Sequence, residues 1–177
     1  ADALLVVFAP ITRRVLSSLP RLKVAVRYGV GYDTVDADAA TDNNVIVVNI
    51  PDFCLEEVSD HALALLLACA RGLVWSTEGL KQGRWGEVQL STVEAPSLFE
   101  QTLGMVGCGN IGRLIVKKAK CFGLKTIGYD PYLDKSTAEK HGIALVSLSE
   151  LLKQSDYVCL QMPLSQATHH IIGDKEL

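Results

Sequence analysis

No apolar run in this sequence exceeds the nine residues of "ALALLLACA" (62–70). That is about half of what a membrane-spanning helix needs, so no membrane partner is expected. No basic stretch offsets the formal net charge of −3, which argues against nucleic acid or an anionic surface as a direct partner. The five cysteines, Cys54, Cys69, Cys108, Cys121 and Cys159, form no C-x-x-C pair. Most sit in apolar runs and are expected to be small buried hydrophobes, which suits a reducing, cytoplasmic setting. No Cys, His or carboxylate cluster has ligand spacing, so no metal is expected. Walker and G-x-S-x-G motifs are missing. Ser59, Asp60 and His61 are neighbours along a helix and cannot face one another as a triad. No signal peptide is visible, and "ADALLVVFAP" reads as a strand already under way, as if residues preceded it.

What is present is an ordinary globular composition, 49% apolar and 21% charged, arranged in alternation. Strands are expected at 3–8, 22–29 and 45–51, with helices in "ITRRVLSSL" and "VDADAATDNN" between them. Apolar on both faces, these strands predict a parallel sheet covered on both sides. Residues 55 to about 80 read as one long helix, acidic at its start and apolar nearly all round, hence buried between two bodies. "KQGRWGEVQLSTVEAPSLFEQ" reads as a crossing into a second domain. The alternation then restarts: strands in "TLGMVG", "KTIGYD", "ALV" and "YVCLQM", helices in "NIGRLIVKKAKCF", "STAEKHG" and "SLSELLKQS". Ser147 and Glu150 have capping-box spacing, and Lys117, Lys118 and Lys120 fall at a helix end, where cations suit the dipole. The pattern predicts an α/β doubly wound parallel sheet, with domains at 1–97 and 98–177.

"LGMVGCGNIGRL" (103–114) omits side chains at Gly107, Gly109 and Gly112. It follows a strand, opens a helix, and meets an acid, Asp130, at the end of the next strand. Gly107 permits a tight turn, Gly109 lets a pyrophosphate approach the backbone, and Gly112 lets helix and strand pack closely. The N–H groups of Asn110 and Ile111 then face the phosphates. Asp130 can accept from ribose hydroxyls and would repel a 2′-phosphate, which favours NAD over NADP. Tight packing alone, or a ligand such as S-adenosylmethionine, is the alternative.

Two further loops follow strand ends, where open α/β sheets bind ligands. "YGVGYD" (28–33) could hold a carboxylate on its backbone N–H groups, or be a structural turn. "QMPLSQAT" (161–168) could lie over a cofactor or be an ordinary connection. Of the histidines, His61 is expected to be packed or capping and His141 solvated. His169 and His170 are neighbours and on a helix or strand would point in different directions, so no shared metal is expected there.

These stretches, with "LKVAVRYGVGYDTVD" and "VNIPDFCLEEVSDHALALLLACAR", resemble the D-isomer-specific 2-hydroxyacid dehydrogenase family. Its members include D-3-phosphoglycerate dehydrogenases, glyoxylate reductases and the C-terminal-binding protein corepressors. The resemblance implies a flavodoxin-like substrate domain and a Rossmann-type NAD-binding domain, both incomplete here. It implies hydride transfer between NAD and a small D-2-hydroxy or 2-oxo acid, and a homodimer joined through the helix from Leu55. It places Arg27, Val30 and Gly31 at the substrate and Val30 also at the nicotinamide. Gly107 to Gly112 would hold the pyrophosphate, Asp130 the adenosine ribose, and Met162, Pro163 and Thr168 would border the cofactor. The family's catalytic arginine, glutamate and histidine would lie after the "HHIIG" stretch, so no catalytic residue is expected in this chain, which reads as a fragment inactive alone. "RYGVGYD" and "YDPYL" lean toward a corepressor-like, NAD(H)-sensing role.

Overall fold

The computed structural model describes residues 1–176. The described chain divides into two compact units: residues 1–54 with 163–171, and residues 55–162 with 172–176. By its contacts the chain divides at 54/55. The helix that begins at Leu55 joins the second unit because it packs along a helix of that unit.

In the first unit β1 (Ala3–Val6), β2 (Val24–Arg27) and β3 (Ile46–Val48) form a parallel sheet in that order. Helix α1 (Arg13–Ser17) connects β1 to β2, and α2 (Ala37–Asp42) connects β2 to β3. Asp36 caps α2 by accepting from the Ala39 N–H at 2.8 Å. Val6, Leu16, Ala25, Ala39 and Val45 make the core. Successive right-handed crossovers in one direction deliver both helices to the same face. The other face therefore stays open in this chain: Leu5 and Ile46 are 79% and 66% exposed. The strands are apolar on both sides, but only one side is covered.

The second unit begins with α3 (Leu55–Ala70) and α4 (Leu73–Lys81), which meet at an angle of 58°. The expected single helix breaks at Gly72, whose φ of +57° is left-handed. Nor is α3 buried all round. Leu63 is in the core, while Leu65 is 59% exposed. The expected crossing segment instead contains helix α5 (Trp85–Glu94). It folds back on α4, with Val88 opposite Gly79 and the Arg71 guanidinium donating to Thr92 C=O at 3.1 Å.

Next come β4 (Thr102–Val106), α6 (Asn110–Ala119), β5 (Lys125–Tyr129), α7 (Lys135–Lys140), β6 (Ala144–Leu145), α8 (Leu148–Gln154) and β7 (Tyr157–Leu160). The sheet is parallel with order β6-β5-β4-β7. Chain order runs outward from β4 through β5 to β6, then returns to β4's other side. This reversal between β4 and β7 is the topological switch point of a doubly wound sheet. The capping box at α8 forms: Glu150 N–H donates to Ser147 Oγ at 3.2 Å, and Ser147 N–H to Glu150 Oε2 at 3.0 Å.

Lys118 stands in the last turn of α6, as expected. Its ammonium reaches α3, pairs with Glu56 at 2.6 Å and with Asp60, and donates to Ser59 Oγ at 2.7 Å. Ser59 is fully buried and itself donates to Glu56 C=O at 2.8 Å. Ser59→Ala is expected to lower the unfolding free energy by about 1–2 kcal/mol, because it removes the buried hydroxyl that links Glu56 C=O to the Lys118 ammonium; urea denaturation measures this. The hydrogen bonds to Asp60 and Glu56 raise the Lys118 pKa above its ordinary 10.5. A raised ammonium pKa stabilises below the unfolded value and loses that contribution as pH climbs through the folded one. The contact is therefore expected to hold through neutral pH and to loosen only in strongly alkaline solution.

Candidate functional site

The glycine turn sits at the carboxyl ends of β4 and β7, at the switch point. Gly107 has φ +92°, and a Cβ there would lie 2.6 Å from Gln161 C=O and 2.8 Å from Met162 N. The turn is tight because the backbone leaving β7 runs directly beside it. A Cβ on Gly112 would run into Gly107 C=O, so that glycine lets α6 approach the turn. Gly109 differs from both: a Cβ there would meet nothing within 4 Å. Its bare backbone opens onto free space and caps α6.

The amides of Gly109, Asn110, Ile111 and Gly112 have no hydrogen-bond acceptor among the described residues. Four donors at a helix N-terminus beside an open glycine make a cradle for an anion. Asp130 stands one strand away, half-buried. Its Oδ2 accepts from Cys108 N–H at 2.9 Å and its Oδ1 from Tyr132 N–H at 2.9 Å. The structure thus brings together Gly107, Gly109, Asn110, Ile111, Gly112, Asp130 and the backbone of Met162.

Arg113 was not expected at this site. Its Nη1 donates to Cys108 C=O at 3.2 Å and its Nη2 to Asn110 Oδ1 at 2.7 Å. The i,i+3 spacing of Asn110 and Arg113 on a helix was the available signal.

The other expected residues lie in the first unit. Arg27 ends β2, donates from Nη1 to Tyr28 C=O at 2.8 Å, and stands 5.8 Å from the centre of the Phe8 ring. Its Nε is buried and unpartnered. The Arg27 guanidinium fills the space where Gly29 would carry a side chain. Val30 is half-buried, and its C=O accepts from Asn49 Nδ2 at 2.8 Å. Gly31 is exposed. Pro163 and Thr168 are tied together, the Thr168 hydroxyl donating to Pro163 C=O at 2.6 Å.

Several expectations are corrected. Only Cys108 is buried; Cys54 and Cys159 are partly so, and Cys69 and Cys121 are exposed. Burial, then the nearby Asp130 charge, pushes the Cys108 thiol up to about 12. Iodoacetamide at neutral pH is expected to label Cys69 and Cys121 and to spare Cys108 until unfolding, as peptide mass spectrometry would show. His61 is exposed, not packed. His169 and His170 lie outside helix and strand, His170 has φ +54°, and their rings meet edge-on with centres 3.9 Å apart. No group of metal-ligating side chains is found among the described residues.

A parallel doubly wound sheet, with a glycine turn at its switch point and an acid on the neighbouring strand, defines a dinucleotide-binding domain. The residues fit the group: a helix mouth with free amides, an open glycine, and a carboxylate at the end of β5. Two family models match this chain. The catalytic domain of D-isomer specific 2-hydroxyacid dehydrogenases matches residues 1–103, and the NAD binding domain of the same family matches residues 63–177. The chain belongs to this family and carries its NAD-binding domain. It is 42% identical over 168 residues to D-3-phosphoglycerate dehydrogenase of Methanocaldococcus jannaschii, covering 94% of this chain and 32% of that one. It is 37% identical over 173 residues to glyoxylate reductase of Thermococcus litoralis, covering 94% and 52%. The structure of D-lactate dehydrogenase from Aquifex aeolicus, complexed with NAD and lactic acid, superposes with a TM-score of 0.90 at 30% identity. It covers 99% of this chain and 52% of that one. The chain thus spans from a third to about half the length of these relatives.

Proposed function

We propose that the intact protein is an NAD-dependent oxidoreductase that interconverts a small D-2-hydroxy acid and its 2-oxo acid. The single observation that carries this reading is the glycine turn at the switch point, its open Gly109 flanked by free amides and by Asp130. NAD, when bound, supplies the acceptor or donor of hydride. The amides of Asn110 and Ile111 hold its pyrophosphate, and Asp130 receives the adenosine ribose and disfavours a 2′-phosphate. The Met162 backbone closes the turn from the β7 side, with Pro163 and Thr168 bordering the cofactor. Arg27, with its unpartnered Nε, and the amides around Val30 and Gly31 receive the substrate carboxylate. The identity of the relatives supports this assignment, since each of those reported above is named for a 2-hydroxy or 2-oxo acid reaction.

The proton-transferring groups of the reaction are not among the residues assigned here. The protein is proposed to act in the cytoplasm as a homodimer. The exposed apolar side chains of α4 and α5, Val74, Trp85 and Val93 among them, support the self-association. Analytical ultracentrifugation is expected to give twice the chain mass. A panel of glyoxylate, hydroxypyruvate and phosphohydroxypyruvate with NADH tests the activity: turnover of at least one is expected, and turnover of none by protein that binds NADH would refute it.

A further inference from the structure

Cys108 lies between two glycines, which would leave its peptide groups free to rotate. Instead, both ends of this one residue are held. Its N–H is taken by the Asp130 carboxylate at 2.9 Å, and its C=O receives the Arg113 guanidinium at 3.2 Å. Each clamping side chain is fixed in turn: Asp130 by Tyr132 N–H, Arg113 by the Asn110 side chain. The Cys108 side chain is fully buried beneath them.

Attraction to an anion does not account for Asp130, nor for the aim of Arg113 at a backbone carbonyl. A carboxylate repels an anionic ligand. An arginine in the first turn of a helix opposes the dipole, and no acidic residue accompanies it there. Both are explained if their task is to shape the backbone. We propose that Asp130 and Arg113 are a pair of positioning residues that hold Cys108 from both sides and preform the phosphate-binding turn before any ligand arrives. The turn's use for a dinucleotide rests on the function proposed above, but the clamp itself is measurable without cofactor. Asp130 then has two roles, one toward ribose and one toward the loop. Arg113 supplies the opposite charge, so the clamp adds no net charge beside the phosphates.

The test is amide hydrogen exchange, resolved by NMR, in the intact protein without NAD. Cys108 N–H is expected to exchange at least about tenfold more slowly than Gly109 N–H, its unpartnered neighbour. Arg113→Met and Asp130→Ala should each bring Cys108 toward the Gly109 rate. Inorganic pyrophosphate, followed by amide shifts, should bind about tenfold more weakly to both variants, the loss expected for one charge-assisted hydrogen bond. Simple Coulomb attraction predicts the reverse for Asp130→Ala, since a negative charge has been removed. Arg113→Lys keeps the charge and loses the fork, and should remain weak. Equal exchange at Cys108 and Gly109 in the parent overturns the clamp, as does unchanged or tighter pyrophosphate binding by Asp130→Ala. If a variant does not fold, the parent's exchange pattern decides alone. Protected Cys108 in a protein that ignores NADH would sink the dinucleotide reading and leave the clamp standing.

Discussion

Gly107→Ala is expected to abolish measurable NADH binding and to destabilise the fold by roughly 3 kcal/mol. Two penalties combine. The backbone at Gly107 has φ +92°, which an alanine adopts only with strain. The added methyl would also lie 2.6 Å from Gln161 C=O and 2.8 Å from Met162 N. Both contacts are backbone atoms of the chain leaving β7, held by the bond from Gln161 N–H to Val106 C=O at 2.7 Å. Neither can retreat without parting β4 from β7. Gly109→Ala separates binding from folding: its Cβ would meet no atom within 4 Å and its φ is −66°. That variant is expected to unfold at the parent's denaturant midpoint, yet to bind NADH at least about tenfold more weakly, because the methyl occupies the space left for the pyrophosphate. Urea titration and nicotinamide fluorescence give both numbers. Unimpaired NADH binding by Gly109→Ala would mean that the open face of the turn is not where the cofactor sits.

Asp130→Ala is expected to weaken NADH by about 10- to 100-fold, the range for losing hydrogen bonds to a charged group. NADPH should lose less, because the carboxylate that repels its 2′-phosphate is gone, so the preference for NADH narrows. Parallel titration of the two cofactors reads the ratio directly. Equal NADH affinity in mutant and parent would remove Asp130 from the site.

Local signals carried most of what the sequence revealed. The glycine turn, the Asp130 partner and the Ser147–Glu150 box are each defined within about 25 residues of chain, and spacing alone was enough to find them. The alternation of strands and helices was legible for the same reason. The misses are of two kinds. Gly72 and the pair Gly83 and Gly86 disguised the helix boundaries: the first broke an apolar run that looked continuous, and the others made α5 look like a loop. The partners of Lys118 and the exposure of the cysteines are not legible locally, because their surroundings come from distant residues. Lys118 suits its own helix dipole in sequence, but its partners Glu56 and Asp60 lie some sixty positions away. Cys69 sits in the most apolar run of the chain and is still exposed, since α3 buries one stripe and not its whole circumference. Arg113 lies one residue past the end of the glycine fingerprint at Gly112.

Calorimetric titration of NADH into the intact, folded protein tests the central claim most directly. The predicted result is saturable binding of one NADH per chain, lost in Gly107→Ala and strongly weakened in Asp130→Ala. A folded protein that shows no saturable heat with NADH, or that binds it equally well in both variants, would contradict the assignment of the turn between β4 and α6 as the cofactor's seat.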